Sequence, residues 1–317
     1  MQKIRNMPVG VQSFEAMRLG NFVYVDKTQF IPKLEKLSIA YFLARPRRFG
    51  KSLFISTLQA YFEGRKELFK GLAIEKFKAE AGSDWQNYPV LKLDLNAGNY
   101  KDSQELKLVL NAHIKDWCKQ FGLVQQFDVA HLNFAYIIKS LYEKFNKRVV
   151  ILVDEYDKPL IATLENEELH EQYRATLKAF YSVIKSSNDY IHLSFLTGVT
   201  KFSKVSIFSD LNNLYDISFD REYSSLCGIT EEELLSNFEE EVQALASEYN
   251  KTYDEMINIL RQRYDGYRFS EKKRGYTIHL AYVMPLKQRN LETIHLRFHH
   301  KIFYMEYSSK KASKYLI

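Results

Sequence analysis

An apolar run that leads into the tripeptide Gly-Lys-Ser constrains the fold of this chain most. Residues 39–44 are apolar and predict a buried strand, and an apolar-periodic segment predicts a helix over about residues 51–63. Residues 45–52, with the sequence RPRRFGKS, connect the two. A strand, a tight loop ending in Gly-Lys-Ser and a helix are the arrangement of a phosphate-binding P-loop. The sequence therefore predicts that this loop binds the phosphates of a nucleotide.

The chemistry of such a loop assigns a role to its residues. Backbone N–H groups at a helix N-terminus point at an anion, and the helix dipole adds positive potential there. Lys51 would reach the β- and γ-phosphates, and the hydroxyl of Ser52 would bind Mg²⁺. Arg47 and Arg48 are candidates for contact with phosphate or with a partner subunit. The residues predicted to bind the nucleotide are Arg47, Arg48, Phe49, Gly50, Lys51, Ser52 and Leu53.

One position departs from the usual pattern G-x-x-x-x-G-K-[ST], because Arg45 stands where the first glycine is expected. The resulting loop is stiffer and more cationic than a typical P-loop. Without the first glycine, Gly-Lys-Ser also fits an ordinary turn between a strand and a helix. The interpretation therefore depends on the rest of the chain.

A second group of candidate residues follows the most apolar segment of the chain. The β-branched run 148–153 predicts a strand buried on both faces of a parallel sheet, and it ends at Asp154 and Glu155. Ligands bind beyond the carboxyl ends of parallel strands, where the P-loop also lies. Asp154 is therefore expected to hold Mg²⁺, and Glu155 to act as general base on an attacking water. Thr197, near the end of a strand predicted over 191–198, is a candidate sensor of the γ-phosphate.

Each of these residues also has a structural interpretation. Asp and Glu are common in loops after strands, and Thr197 precedes Gly198 in a segment that suits a turn. A small-molecule kinase would use a similar loop, but the acidic pair favours hydrolysis. Lys201 and Lys204 fit either a phosphate contact or an exposed surface.

The remaining periodicity predicts strands and helices in alternation, which indicates a doubly wound α/β domain with a mainly parallel sheet. A strand is predicted over 89–95, and a helix is predicted from Asp102 to about 120 with Asp102 and Glu105 as its cap. A second helix is predicted over about 130–146, and the residues expected on its apolar face are Leu132, Ala135, Ile138 and Leu141. Further helices are predicted over about 167–187 and from a capping box at Thr230 to about 263.

Composition and charge narrow the class of protein. No apolar run approaches the ~18 residues of a membrane span, so no membrane partner is expected. The two cysteines, Cys118 and Cys227, are far apart and predict buried apolar side chains in a reducing cytoplasm. The net charge of +6 arises from residues 271–317, which carry ten Lys or Arg and three Asp or Glu. This basic tail leaves nucleic-acid binding as an alternative.

Several segments together resemble the AAA-ATPase-like proteins of bacteria and archaea, in which a PD-(D/E)XK nuclease-like domain usually follows the ATPase domain. The resemblance covers residues 1 to about 274 and rests on the segments 24–28 (YVDKT), 45–52 (RPRRFGKS), 153–159 (VDEYDKP), 197–204 (TGVTKFSK), 212–214 (NNL) and 264–269 (YDGYRF). It implies a P-loop NTPase of the additional-strand class that binds ATP and Mg²⁺. The roles given to Lys51, Ser52, Asp154 and Glu155 carry over, and Arg45 becomes a regular feature of the family's loop.

The resemblance further implies three regions, which are an ATPase core over 1–218, a small helical lid over 219–270 and a basic tail over 271–317 that does not match the family. We hypothesise that the tail is translated out of frame, because one allowed set of codons, read two bases later, encodes family-like segments. The alternative is a divergent basic tail. The nuclease-like domain is then lacking, and no nuclease activity is expected.

The function predicted from the sequence is Mg²⁺-dependent ATP hydrolysis in the cytoplasm that switches the conformation of the lid. The alternative is a nucleotide-binding or scaffold module that does not hydrolyse ATP. The partner predicted first is the nucleotide, and a homo-oligomer or a protein partner is a further expectation. Binding of nucleic acid is expected only from the family context. The preference for ATP over GTP also rests on the resemblance.

Overall fold

The computed structural model describes residues 6–8, 10–37, 40–200, 214–264, 269 and 277–278. The α-helices in this part of the chain are α1 (Phe14–Leu19), α2 (Ile31–Leu37), α3 (Lys51–Phe62), α4 (Ala73–Glu80), α5 (Glu105–Phe121), α6 (Ala130–Phe145), α7 (Lys158–Ala162), α8 (Glu167–Ser186), α9 (Glu231–Asn237), α10 (Glu239–Glu248) and α11 (Tyr253–Tyr264). The strands are β1 (Ala40–Ala44), β2 (Val90–Asp94), β3 (Val149–Asp154), β4 (Ile191–Gly198), β5 (Leu214–Asp216), β6 (Ile229–Thr230) and β7 (Thr277–Ile278). Short 3₁₀-helices occur at Thr28–Phe30, Lys66–Phe69, Leu95–Ala97, Asn188–Tyr190 and Arg221–Tyr223.

Five strands form one parallel sheet in the order β2-β3-β4-β1-β5. β4 lies between β1 and β3, with Leu43 of β1 beside Thr197. Every residue of β3 is buried, as its apolar run predicts. Because the strands are parallel, their carboxyl ends lie at the same edge of the sheet. Asp154 and Thr197 are therefore both at that edge, and β1 ends there at Ala44.

The chain divides into two compact units, and the sheet belongs to the unit formed by Ile31–Pro46 and Leu58–Ile217. The core of this unit contains the buried side chains of the strands together with those of α5, α6 and α8, among them Leu110, Ile137 and Leu177. This is the α/β architecture predicted from the alternation of strands and helices.

The other unit comprises Met1–Phe30, Arg47–Thr57 and Ser218–Ile317. Its core joins apolar side chains of α9, α10 and α11 with Val23, and β6 pairs with β7 in antiparallel fashion. The three regions expected from the sequence stay a prediction.

One predicted helix face is wrong in part. Ile138 and Leu141 of α6 are buried as predicted, but Leu132 is 44% exposed, and Phe134 lies in the core. The amide of Asn133 is the reason, because it is fully buried and bonded to the backbone of the loop before α6, which leaves its neighbour Leu132 on the outer side.

The predicted cap of α5 is formed in part. Asp102 Oδ1 accepts the backbone N–H groups of Gln104 at 2.9 Å and Glu105 at 3.1 Å. The side chain of Glu105 does not bond back to Asp102 as a capping box requires. It accepts the N–H groups of Asn99 and Lys101, which lie in the loop before the helix.

Other sequence predictions are confirmed within the described residues. The capping box at Thr230 is present, with Glu233 as its reciprocal partner, and both cysteines are buried. None of the helices in this part of the chain combines the length and the apolar character that crossing a membrane requires. Of the tail over 271–317 only Thr277–Ile278 is described, so the out-of-frame hypothesis stays a prediction.

Candidate functional site

The loop before α3 has a backbone shaped by two residues in the left-handed region, Arg48 with φ 63° and Gly50 with φ 88°. The N–H of Gly228 donates to the carbonyl oxygen of Phe49 at 2.8 Å. Helical bonding begins where the N–H of Phe54 donates to the carbonyl oxygen of Gly50 at 2.9 Å. The N–H groups that precede Phe54 therefore lack an acceptor inside α3, which is the arrangement that binds anions at a helix N-terminus.

The side chains of this loop differ in exposure. Lys51, the first residue of α3, is 4% exposed, whereas Arg47 and Arg48 are exposed. Ser52 and Leu53 are partly buried. The two arginines therefore present positive charge to solvent, and the lysine ammonium is enclosed by protein.

Arg45, at the position of the missing glycine, is buried and hydrogen-bonded at the end of β1. Its side chain is 1% exposed, and Nη1 donates to the carbonyl oxygen of Ala44 at 3.0 Å. Its backbone N–H donates to the carbonyl oxygen of Gly198 at 3.1 Å, which fixes the end of β1, where Ala44 pairs with Gly198 of β4. Arg45 is therefore held at the point where β1 passes into the loop.

Two N-terminal residues hold the first turns of α3. The N–H of Phe14 donates to Ser56 Oγ at 2.9 Å, and Tyr24 Oη lies 3.4 Å from Thr57 Oγ1. The Thr57 hydroxyl also donates to the carbonyl oxygen of Leu53 at 2.9 Å. Burial raises the pKa of Tyr24 well above its usual value, because desolvation disfavours the phenolate. Tyr24 is thus a neutral partner that belongs to the segment YVDKT.

At the end of β3, the structure brings two of the predicted residues into contact. Asp154 is 2% exposed and Thr197 is fully buried. The Thr197 hydroxyl donates to Asp154 Oδ1 at 2.7 Å and lies 3.3 Å from the carbonyl oxygen of Val153. Glu155 follows with φ 54° and a side chain that is 8% exposed. Thr197 therefore orients the carboxylate of Asp154, a role that its interpretation as a phosphate sensor did not include.

Asp157 is a buried carboxylate at this strand end that sequence reasoning missed. It is fully buried, and its oxygens accept the N–H of Val199 at 3.0 Å, the N–H of Thr200 at 2.6 Å and the hydroxyl of Thr200 at 2.6 Å. Burial raises the pKa of Asp157, and the Thr200 bonds oppose that rise. The sequence signal is its place in the segment VDEYDKP, which assigned it no role, and its partners lie more than forty residues along the chain in the segment TGVTKFSK.

Two of the predicted site residues, Ser52 and Asp154, carry oxygen atoms of the kind that Mg²⁺ binds. In the described part of the chain, no three His, Cys, Asp or Glu side chains form a group that would hold a metal ion by themselves. Mg²⁺ usually binds one or two protein oxygens and completes its shell with substrate phosphates and water. The Asp154 carboxylate lies in one unit and the Ser52 hydroxyl in the other, and each carries an oxygen atom of this kind.

The predicted site residues fall into the two units described above. Residues 47–53 belong to one unit, and Asp154, Glu155 and Thr197 belong to the other. Lys201 and Lys204 lie outside the described residues.

A protein-family model described as "Predicted AAA-ATPase" matches residues 8–208, which is more than half of the chain. The chain belongs to this family. The match contains the P-loop segment, the strand end at Asp154 and Thr197, so the resemblance inferred from the motifs is confirmed. Membership of the predicted AAA-ATPases makes nucleotide binding the general expectation for these residues.

A curated relative extends the comparison. A protein of Azotobacter chroococcum mcd 1 named "Uncharacterized protein in vnfD 5'region" is 39% identical over 266 residues, which are 80% of this chain and 50% of that protein. The chain therefore spans about half the length of this relative.

Proposed function

We propose that this chain binds ATP with Mg²⁺ and hydrolyses it. The observation that carries the proposal is the start of α3 at Lys51, directly after β1 and the loop RPRRFG. The order of the sheet adds support for the additional-strand class. β4 is an extra strand between β1, which leads into the loop, and β3, which ends at Asp154.

Each residue has a role that its environment allows. Lys51 and the N–H groups at the start of α3 bind the phosphates, and Ser52 and Asp154 are the residues that would hold Mg²⁺. The bound ion would neutralise charge on the phosphate oxygens. Glu155 accepts a proton from water while the water oxygen bonds to the γ-phosphorus, and the bond from that phosphorus to the bridging oxygen breaks to release ADP.

Contacts of the loop support a conformational switch. The carbonyl of Phe49 accepts the N–H of Gly228, and the Phe49 ring packs edge-on against Phe269 with centroids 5.5 Å apart. Gly228 and Phe269 flank α9, α10 and α11 in the sequence, so a change in the loop is passed directly to the segments that bound these helices. We infer that α9–α11 form the responsive lid.

The test is Mg²⁺-dependent phosphate release together with binding of a fluorescent ATP analogue. Lys51→Ala is expected to weaken binding by about tenfold or more, because it removes a charge-assisted contact. Glu155→Gln is expected to keep binding and lower turnover by about 10²–10⁴-fold, because it removes the general base.

Matched controls come from an exposed pair on α6. Lys139 and Glu143 lie 3.8 Å apart and are both more than half exposed. Lys139→Ala and Glu143→Gln are therefore expected to leave binding and turnover unchanged. Binding without turnover in the wild type would favour the non-hydrolysing module, and absence of binding would contradict the proposal.

A further inference from the structure

The carboxylate of Asp157 joins the backbone after β4 to the backbone after β3. Three donors from Val199 and Thr200 converge on Oδ2, the Val199 N–H also lies 3.3 Å from Oδ1, and no part of the side chain is exposed. Backbone donors fix the position of main-chain atoms. Asp157 therefore anchors residues 199–200 as a segment and does more than bond one neighbouring side chain.

Tyr156 adds a second set of contacts to the same segment. Its backbone N–H donates to the carbonyl oxygen of Thr197 at 2.9 Å, and its hydroxyl donates to the carbonyl oxygen of Thr200 at 3.0 Å. Its ring lies so close to Gly198 that a Cβ there would be 2.3 Å from a ring carbon and 2.8 Å from Asp157 Oδ1. Only glycine fits at position 198, so the two strand ends are packed without space for adjustment.

Glu155 lies in the chain between Asp154 and Tyr156, which both bond to Thr197 of β4. A φ of 54° is disfavoured for a residue with a Cβ, and such a conformation persists where the surroundings enforce it. Asp154 on one side accepts the Thr197 hydroxyl, and Tyr156 on the other side bonds to the Thr197 carbonyl. The contacts of both neighbours with β4 therefore determine the backbone of Glu155 and the direction of its side chain.

We propose that Asp157 is a positioning residue for ATP hydrolysis, which holds the end of β4 against the end of β3 and thereby fixes the direction of Glu155. Asp157 does not contact the reacting atoms and acts through residues 197–200. The inference rests on the proposed function. It predicts a defect in turnover and not in nucleotide binding, because a misplacement of about 1 Å lowers rates by as much as ~10²-fold.

The decisive variants remove the acceptor or a donor of this anchor. Asp157→Ala removes both carboxylate oxygens and leaves the backbone N–H groups of Val199 and Thr200 without their acceptor, so kcat is expected to fall by about 10²-fold with KM within about threefold. Thr200→Val removes one hydroxyl donor and is expected to lower kcat by about tenfold. Thr200→Ser keeps that donor and is expected to restore most of kcat.

Thr163→Val is the matched control, because Thr163 is buried and its hydroxyl bonds, within the described residues, to Pro159, Leu160 and His170 and not to residues 197–200. Amide hydrogen exchange at Val199 and Thr200 provides a readout that does not need turnover. We expect faster exchange at these two amides in Asp157→Ala and unchanged exchange there in Thr163→Val.

The outcomes separate this inference from the proposed function. Unchanged kcat in a folded Asp157→Ala variant would overturn the positioning role while ATP hydrolysis stands. So would a loss in Thr163→Val equal to that in Thr200→Val, since the effect would then be general destabilisation. A wild type that binds no ATP would overturn the proposed function, and exchange rates unaffected by Asp157→Ala would show that Asp157 does not anchor residues 199–200.

Discussion

At the scale of single residues, the buried ionisable side chains of Lys27, Asp157 and His170 each have a polar partner that stabilises them. Lys27 pairs with Glu233, and Asp157 receives backbone donors. His170 in α8 is 6% exposed, with Nδ1 3.2 Å from the hydroxyl of Thr163. Desolvation lowers the pKa of this imidazole, since burial disfavours its charged form. In the folded state His170 therefore binds a proton less readily than in the unfolded state.

We predict that this lowered pKa makes the free energy of unfolding fall as the pH drops below about 6.5, the pKa of an unperturbed histidine. The contribution is fully present above that pH and is lost as the pH falls through the folded-state pKa. His170→Gln is expected to flatten the dependence. Urea unfolding at several values between about pH 7.5 and 5 gives the free energy of unfolding of the wild type and of the His170→Gln variant. Equal slopes for the two would show that His170 does not contribute.

At the scale of elements, the start of α9 is held by two interactions that share one residue. Glu233 closes the capping box with Thr230, and its carboxylate also binds the ammonium of Lys27 at 2.6 Å. Lys27 further donates to the carbonyl oxygen of Ser225 at 2.8 Å. The segment YVDKT thus fastens the N-terminal part of its unit to the first helix of the proposed lid.

We predict that Lys27→Met destabilises the chain by about 3 kcal/mol, because Glu233 is left as a largely buried charge without its partner. Lys139→Met, in the exposed pair with Glu143, is expected to cost less than about 0.5 kcal/mol. Chemical denaturation compares the two. In a cycle with Glu233→Gln, additive losses would contradict a direct coupling between Lys27 and Glu233.

At the scale of the whole molecule, residues 47–57 and the helices α9–α11 belong to one compact unit, in which Phe49 contacts Gly228 and Phe269. Phe269 is 9% exposed and ends the segment YDGYRF. These contacts give the proposed switch a physical route from the nucleotide to α9–α11.

We predict that Phe269→Ala keeps nucleotide binding and reduces the protection from hydrogen exchange that Mg²⁺ and ATP induce in α9–α11. Removal of the ring deletes the edge-on contact with Phe49 while leaving Lys51 and Ser52 in place. Phe77→Ala, which truncates a phenylalanine that is 38% exposed in α4, is the control and is expected to behave as the wild type. Full protection in Phe269→Ala would exclude this route.

Much of the fold was predictable because its signals are local. The strand predicted over 191–198 coincides with β4, and the helix predicted over about 51–63 agrees with α3. The short elements α1, α2, α4, α7 and β5 were not predicted, since so few residues carry no distinguishable period. Leu132 was assigned to the wrong face of α6 because the inward amide of Asn133 depends on a loop that no helical period describes.

The sequence by itself determined which residue types the proposed site contains. Gly50-Lys51-Ser52 and Asp154-Glu155 are recognisable because their roles follow from residue types within a few positions of one another. Only the tertiary structure decided which strands are neighbours and which side chains meet across them. Thr197 contacts Asp154, and Thr200 contacts Asp157, because burial of the apolar residues of β3 and β4 places these two strands side by side. That choice depends on the free energy of packing residues distant in the chain, which no local pattern contains.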